Sequence, residues 1–240
     1  VRWSTAIAYL NPTRERPNLT IMPDSLAHRV LFDGQRAVGI RAHSQGEPFT
    51  VMAEEVILAG GAIGSPHLLL LSGVGPTAQL AANGIPTIHR LPGVVENLRD
   101  HSQLGLVFKT RPGFDLGDTG YPFQIVLRYT AAGSSLRNDM LIHPGSRGSV
   151  GHRSINSHDH GCTNEKGLLM VAALYLEVGS GFLRLRDSDP HIQPLLNYNF
   201  LEDEFDRSRM REGVHTCIEL TRSQGWSRLV KERLEPTDED

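Results

Sequence analysis

The chain has 240 residues, 39% of them hydrophobic and 21% charged, with a formal net charge of −3. That balance fits a globular protein of one large domain or two small ones and excludes a disordered chain. The arginines are scattered, with no aromatic-rich basic patch, so a nucleic-acid partner is not expected.

The N-terminal VRWSTAIAYLNP lacks the long apolar core and small-residue cleavage site of a signal peptide. Both this end and the closing LEPTDED read as cuts through a longer protein. NLT at Asn18 matches a glycosylation sequon and, without a secretory signal, is read as chance. Ser4 is placed to cap a short helix through TAIAYL, which Asn11-Pro12 should stop. NLTIM, AHRVLF, AVGIRAH and FTVMA then read as short strands parted by turns at Asp33-Gly34 and Gln45 to Pro48, a β-meander. EEVILAGG follows, apolar enough to be a strand buried on both faces.

The next stretch, GGAIGSPHLLLLSGVG (Gly60 to Gly75), is apolar over about the length of a membrane helix. Ser65, Pro66, His67 and Ser72 interrupt it, and Gly60, Gly61 and Gly64 weaken any helix there. No transmembrane segment is expected. A strand–turn–helix reading accounts for more of these residues. VILA is the strand and Gly60-Gly61 the tight turn; Ser65 is the helix cap with Pro66 at the first position, and Gly73 is the stop. AGGAIG is one glycine short of the dinucleotide fingerprint. No acidic residue stands between Ala62 and Val95 to hold a ribose, so it fails as a self-sufficient NAD site.

PTAQLAANGIP predicts a short helix closed by Asn83-Gly84. Beyond LPGVVENLRDH the pattern changes. LGLVFKT, FQIVLRY, DMLIHP, GLLMVAALYLEV and GFLRLRD alternate with loops as in an antiparallel sheet. A helix from about Glu202 to Gln224 ends the chain, with an acidic first turn, an apolar stripe including Phe205, Val214, Cys217 and Ile218, and Gly225 as its stop. The two cysteines, Cys162 and Cys217, show no CxxC spacing. A disulfide scaffold is therefore not expected, and a reducing, cytoplasmic setting is the default.

Taken together these motifs resemble the glucose–methanol–choline (GMC) flavoprotein oxidoreductases. Gly61-Ala62, Ser65-Pro66, Leu68-Leu69 and Ser72-Gly73-Val74-Gly75 stand at the spacing of that family's second signature. RPNLTI, LPGVVENLRDH and LRLRDSDPHIQPLLNYNFL resemble further segments. Val95 departs from the family's usual glycine and would be strained if that position needs a positive φ. The resemblance implies a mixed α/β and α+β fold. Residues 1–100 would be part of a Rossmann-like FAD-binding domain (meander, buried strand and helix). Residues 101–240 would be part of a substrate domain, an antiparallel sheet with a packing helix. It also implies FAD as cofactor and a small-molecule alcohol as substrate, oxidised to a carbonyl by hydride transfer to the flavin, with the electron acceptor open. Ala27, Ala59, Gly60 and Gly61 would lie against the adenine half. The glycine-rich phosphate cradle would precede the chain and the catalytic histidine would lie beyond Asp240, so the chain alone is expected to hold FAD weakly and to be inactive.

Two alternatives sit beside this reading: a flavin-containing hydroxynitrile-lyase-like relative, and a non-catalytic binding module. His101, beside Asp100, could be an Asp-oriented base but reads better as a structural histidine. His152, His158, Asp159, His160 and Cys162 approach metal-ligand spacing, yet no second cluster completes a tetrahedral site, and no metal is expected.

Overall fold

Short turns with left-handed residues set the first part of the architecture. Strands β1 (Ser25–Asp33), β2 (Arg36–Ser44) and β3 (Glu47–Met52) form a three-stranded antiparallel sheet in that order. Gln45 and Gly46 join β2 to β3 with φ of 51° and 87°, the two positive values that a type I′ hairpin requires and that match strand twist. The computed structural model describes residues 3–114, 123, 125–149 and 166–237. It divides into two units, Val1–Glu96 with Leu183–Leu196, and Asn97–Phe182 with Asn197–Asp240.

In the first unit, helix α1 (Gly61–Leu71) is followed by strand β4 (Val74–Gly75), helix α2 (Thr77–Ala82) and strand β5 (His89–Arg90), which pairs parallel to β4. Leu70, Leu71, Leu80, Ile85, Val95, Leu183 and Leu185 close a small apolar core. Ser72 joins this part to the meander: its buried hydroxyl accepts the Val30 N–H of β1 at 2.8 Å and donates to the Leu68 carbonyl. Gly73 (φ 85°) ends α1 where a Cβ would stand 2.5 Å from the Pro86 carbonyl oxygen, so close approach as well as backbone conformation demands glycine. Strands β6 (Glu96–Leu98), β11 (Gly181–Arg184) and β12 (Leu195–Asn197) lie along the chain where it passes between the units.

The second unit is built on strands β7 (Gln103–Thr110), β8 (Leu127–Tyr129), β9 (Met140–Ser149), β10 (Lys166–Leu174) and β13 (Val230–Glu235). They form an antiparallel sheet in the order β13-β7-β10-β9-β8. Helix α3 (Glu204–Arg222) covers one face, burying Met210 and Cys217 against Leu106, Met140, Ile142, Met170, Ala172 and Leu174. The helix starts as its acidic cap demands: the Asp203 carboxylate accepts the N–H groups of Phe205 (2.8 Å) and Asp206 (3.4 Å).

The antiparallel second half, its helix and the three-stranded meander agree with the sequence reading, and six details differ. NLTIM forms no strand; no strand of the meander pairs with it. VILA is neither a strand nor buried on both faces. Val56 to Ala59 alternate half-buried and exposed, with Ile57 81% exposed, because no described strand hydrogen-bonds to them. Ser65 is not the cap of α1. The helix starts earlier, at Gly61 (φ 72°), so Pro66 lies inside it, and the Ser65 hydroxyl accepts the Gly60 N–H at 2.9 Å. The first helix is a π-type turn, Ala6–Leu10, that runs on into a 3-10 turn, Asn11–Thr13. Proline is tolerated at the start of such a turn because the N–H it lacks would be unpaired anyway. GFLRLRD contributes β11 and not a strand of the large sheet, whose place beside β7 is taken by β13. Val95 is unstrained. It closes a 3-10 turn, Pro92–Val95, and the positive φ falls on Asn97 (65°) instead, a residue type that tolerates it.

Candidate functional site

A hollow of about 380 Å³ opens beside the meander. Ala27 of β1, Gly39 of β2 and Val51 of β3 form one wall; Ala59, Gly60 and Ser65 form another. Three of the four residues singled out from the sequence, Ala27, Ala59 and Gly60, therefore meet around one space, although they lie far apart along the chain. Gly61 does not line it; its positive φ serves the first turn of α1.

The walls are mostly apolar, and small residues, Ala27, Gly39, Ala59 and Gly60, stand among larger ones such as Ile40, Val51 and Leu68. At Gly39 a Cβ would fall 2.3 Å from the Val51 carbonyl oxygen, and at Gly60 it would fall 3.0 Å from the backbone of Gly64 and Ser65. Both positions are bare because backbone comes too close. Among the described residues Glu55 is the one ionisable group in the lining, and no cation faces in. Such a slot suits a flat, uncharged aromatic ring held by backbone and methyl contact, and it offers nothing to neutralise a phosphate. Gly39 was missed in the sequence, yet a glycine in the middle of a strand is itself a signal of close backbone approach.

In the second unit, His101 is not aimed by Asp100. The Asp100 carboxylate accepts the His101 backbone N–H at 2.8 Å, and the imidazole Nδ1 lies 3.1 Å from the Leu174 carbonyl oxygen. The ring stacks on Tyr175 with centroids 4.9 Å apart, and the Arg128 guanidinium covers that tyrosine at 4.5 Å. These contacts hold the ring in place.

The most buried charges of this unit were not foreseen. Arg209 of α3 is 1% exposed and lies between Asp139 (2.8 Å) and Asp206, with the Leu176 carbonyl accepting a further N–H at 3.0 Å. Asp206 also accepts the N–H groups of Val178 and Gly179. Burial pushes the Asp139 carboxyl up, but the Ser134 hydroxyl, Arg209 and the Ala131 N–H outweigh it and hold the group below the usual carboxylate range. The cluster fastens α3 to the loops after β8 and β10. Burial raises the Cys217 thiol to about 12 and the Tyr129 hydroxyl to about 12, so neither is a nucleophile near neutral pH.

The histidine-rich stretch from His152 to Cys162 lies outside the described residues. Among the described residues no group of three or more His, Cys, Asp or Glu is arranged to hold a metal ion, and no helix is long and apolar enough to cross a membrane.

Comparison with known proteins adds three findings. Two family models described as GMC oxidoreductase match the chain, the N-terminal one over residues 1–103 and the C-terminal one over residues 178–240. Mitochondrial choline dehydrogenase of Mus musculus is 33% identical over an alignment of 252 residues, covering 98% of this chain and 42% of that protein. Oxygen-dependent choline dehydrogenase of Chromohalobacter salexigens is 30% identical, covering 98% and 45%. Among solved structures, pyridoxine 4-oxidase from Mesorbium loti superposes with a TM-score of 0.87 at 19% identity, over 98% of this chain and 46% of that one. Formate oxidase superposes with a TM-score of 0.81 at 23% identity, over 93% and 47%. The chain thus spans less than half the length of these relatives.

Proposed function

The chain belongs to the GMC oxidoreductase family, and on that footing we propose that it supplies the adenosine cradle and the substrate-domain sheet of an FAD-dependent enzyme oxidising a small-molecule alcohol to a carbonyl compound. The hollow at Ala27, Ala59 and Gly60 supports the reading. Its mostly apolar walls, with Glu55 and no described cation in the lining, fit the adenine end of a dinucleotide and not its phosphates. Ala27 and Ala59 would touch the ring through methyl groups, and Gly60 and Gly39 would let backbone approach it. The bound flavin would supply the hydride acceptor, a task beyond any side chain.

The division of the chain supports two parts, a cofactor part of about residues 1–100 and a substrate part of about residues 101–240. The return of Leu183–Leu196 to the first unit refines that boundary. The relatives named as choline dehydrogenases favour a small alcohol as substrate and leave the electron acceptor open. His101 is not offered as the base, because the Asp100 carboxylate accepts its backbone N–H and does not orient its ring.

The test is an FAD titration of the full-length protein, followed by flavin fluorescence and thermal melting. An Ala27→Leu variant would be compared, since leucine there fills the hollow without disturbing a glycine. Binding weakened at least about tenfold with an unchanged melting temperature, a cost of about 1.4 kcal/mol, is the expected result. Unchanged affinity in Ala27→Leu, or no FAD binding by the wild-type protein, would overturn the assignment.

A further inference from the structure

Immediately beyond Ala27, β1 carries a feature that the proposed cofactor site does not use. Ala27 pairs with Ala42 and Arg29 with Arg41, which leaves His28 as the extra residue of a β-bulge. Bulges break a ladder locally and re-aim a side chain. Here the re-aimed imidazole meets two others. His43 of β2 lies edge-on to it with ring centroids 3.9 Å apart and planes at 86°, and His191 lies at 5.9 Å and 80°. The His28 Nε2 is buried and has no hydrogen-bond partner, an unusual state for a polar atom. His43 and His191 also border an open hollow of about 380 Å³, together with Asp24 and Gln45.

His191 is presented by a loop that fixes itself. The Asp189 carboxylate accepts the His191 N–H at 2.9 Å, the Asp187 carboxylate accepts the Asp189 N–H at 3.0 Å, and the Ile192 N–H donates to the Asp189 carbonyl at 3.1 Å. All three histidines belong to the first unit, but His191 comes from the segment that returns to it late in the chain.

We propose that His28, His43 and His191 form a proton-operated clasp that fastens the 187–192 loop to the bulge of β1 while the rings are neutral and releases it in acid. The clasp stands whether or not the neighbouring hollow holds FAD. Neutral imidazoles pack edge to face because a ring edge is positive and a ring face negative. Two imidazolium rings at the His28–His43 spacing would repel, and the unpartnered Nε2 has no acceptor to receive an added hydrogen. The charged groups around the cluster act in both directions. Arg41 on β2 and the other two histidines disfavour a proton on His28, and Asp189 favours one. Burial, followed by His43 and His191, holds His28 below the ordinary 6.5. The folded state therefore takes up this proton less readily than the unfolded state. The stabilisation is fully present above about pH 6.5 and is lost as pH falls through the lowered folded value.

Two measurements on the full-length protein between pH 8 and pH 5 test the clasp. The Cε1–H resonances of the histidines give each titration directly. Hydrogen exchange at the His191 and Ile192 amides, corrected for the intrinsic rate, gives the opening of the loop. His28 should titrate below 6.5, and opening should increase by up to about tenfold per pH unit for each linked proton. In His191→Gln the pH dependence of Ile192 exchange should be largely lost. Titration of His28 at or above 6.5, or opening that does not respond to pH in the wild-type protein, overturns the proposal. Should His191→Gln fold and keep the full pH dependence, the proposal falls as well.

Discussion

The two units of the chain solve the burial problem differently. In the second, a five-stranded sheet and α3 enclose an apolar core, and even charges are driven inside, with Arg209, Asp139 and Asp206 all at or below 1% exposed. In the first, the core is a small cluster around Leu70 and Leu80, while Val51, Met52 and Ile57 remain exposed and glycines line the hollow. The core of the second unit is organised by filling space and the hollow of the first by keeping it open. A core that fills space depends on side-chain volume and satisfied charge, whereas an open cradle depends on backbone hydrogen bonds and on the absence of side chains.

Arg209→Met is the sharpest way to break that contrast. It leaves the Asp139 and Asp206 carboxylates buried without their shared cation, at a cost of about 3–5 kcal/mol. Urea denaturation should show it as a large fall in midpoint, and hydrogen exchange should confine the loss to the second unit. The pH dependence should also reverse. Asp139 is held below the usual carboxylate range in the wild-type protein, so its contribution is present above the unfolded pKa and lost only as pH falls through the lower folded value. Without Arg209, burial acts on the Asp139 carboxyl with less to oppose it, and the variant should gain stability as pH falls from 7 towards 5. A variant with the wild-type midpoint and slope would show that the buried cluster contributes no net stability.

The same contrast explains what the sequence made legible. The antiparallel strands of the second half and α3 could be read because their apolar residues are buried by partners within the described chain, so alternation and stripe follow the final packing. Asp203 was in view as part of an acidic first turn, although its capping bonds were not. VILA misled because an apolar run shows only what side chains would gain by burial; a neighbouring strand must be present to bury them, and among the described residues none pairs with Val56 to Ala59. Pro66 misled because proline at a helix start is common, while the bond from the Gly60 N–H to Ser65 that lets α1 begin earlier is visible only in three dimensions. Ala27, Ala59 and Gly60 came from family spacing, and their meeting around one hollow has a reason in the β1–β2–β3 pairing. The Arg209 cluster was illegible, since a single arginine in a helix gives no sign of the two carboxylates that will reach it.

Ser72→Ala probes the open unit. The hydroxyl accepts the Val30 N–H and donates to the Leu68 carbonyl, and Ser72 is buried. Its removal leaves a buried backbone donor without a partner, a cost of about 1–3 kcal/mol. The loss should appear as faster exchange of the Val30 amide and of α1, with the sheet of the second unit unaffected. Equal loosening of both units would show that the cores are energetically one and would dissolve the contrast.

The smallest effect is expected at Gly213, where α3 packs on the sheet. A Cβ there would lie 2.9 Å from the Met140 Cε and 3.2 Å from the Ala172 Cβ. Alanine gains about 1 kcal/mol of helix propensity over glycine, against an overpacking cost of about 1–3 kcal/mol. The Met140 methyl is the free end of a flexible side chain and can give way; Ala172 sits on a paired strand and yields only with β10. Gly213→Ala should therefore lie within about 1 kcal/mol of wild type. Gly213→Val adds two methyl groups against the same wall and lowers helix propensity, so it should be clearly destabilising in urea denaturation. A large loss already at alanine would mean that the filled unit has no slack even at a methionine, while tolerance of valine would mean that α3 lies on the sheet more loosely than its buried charges imply.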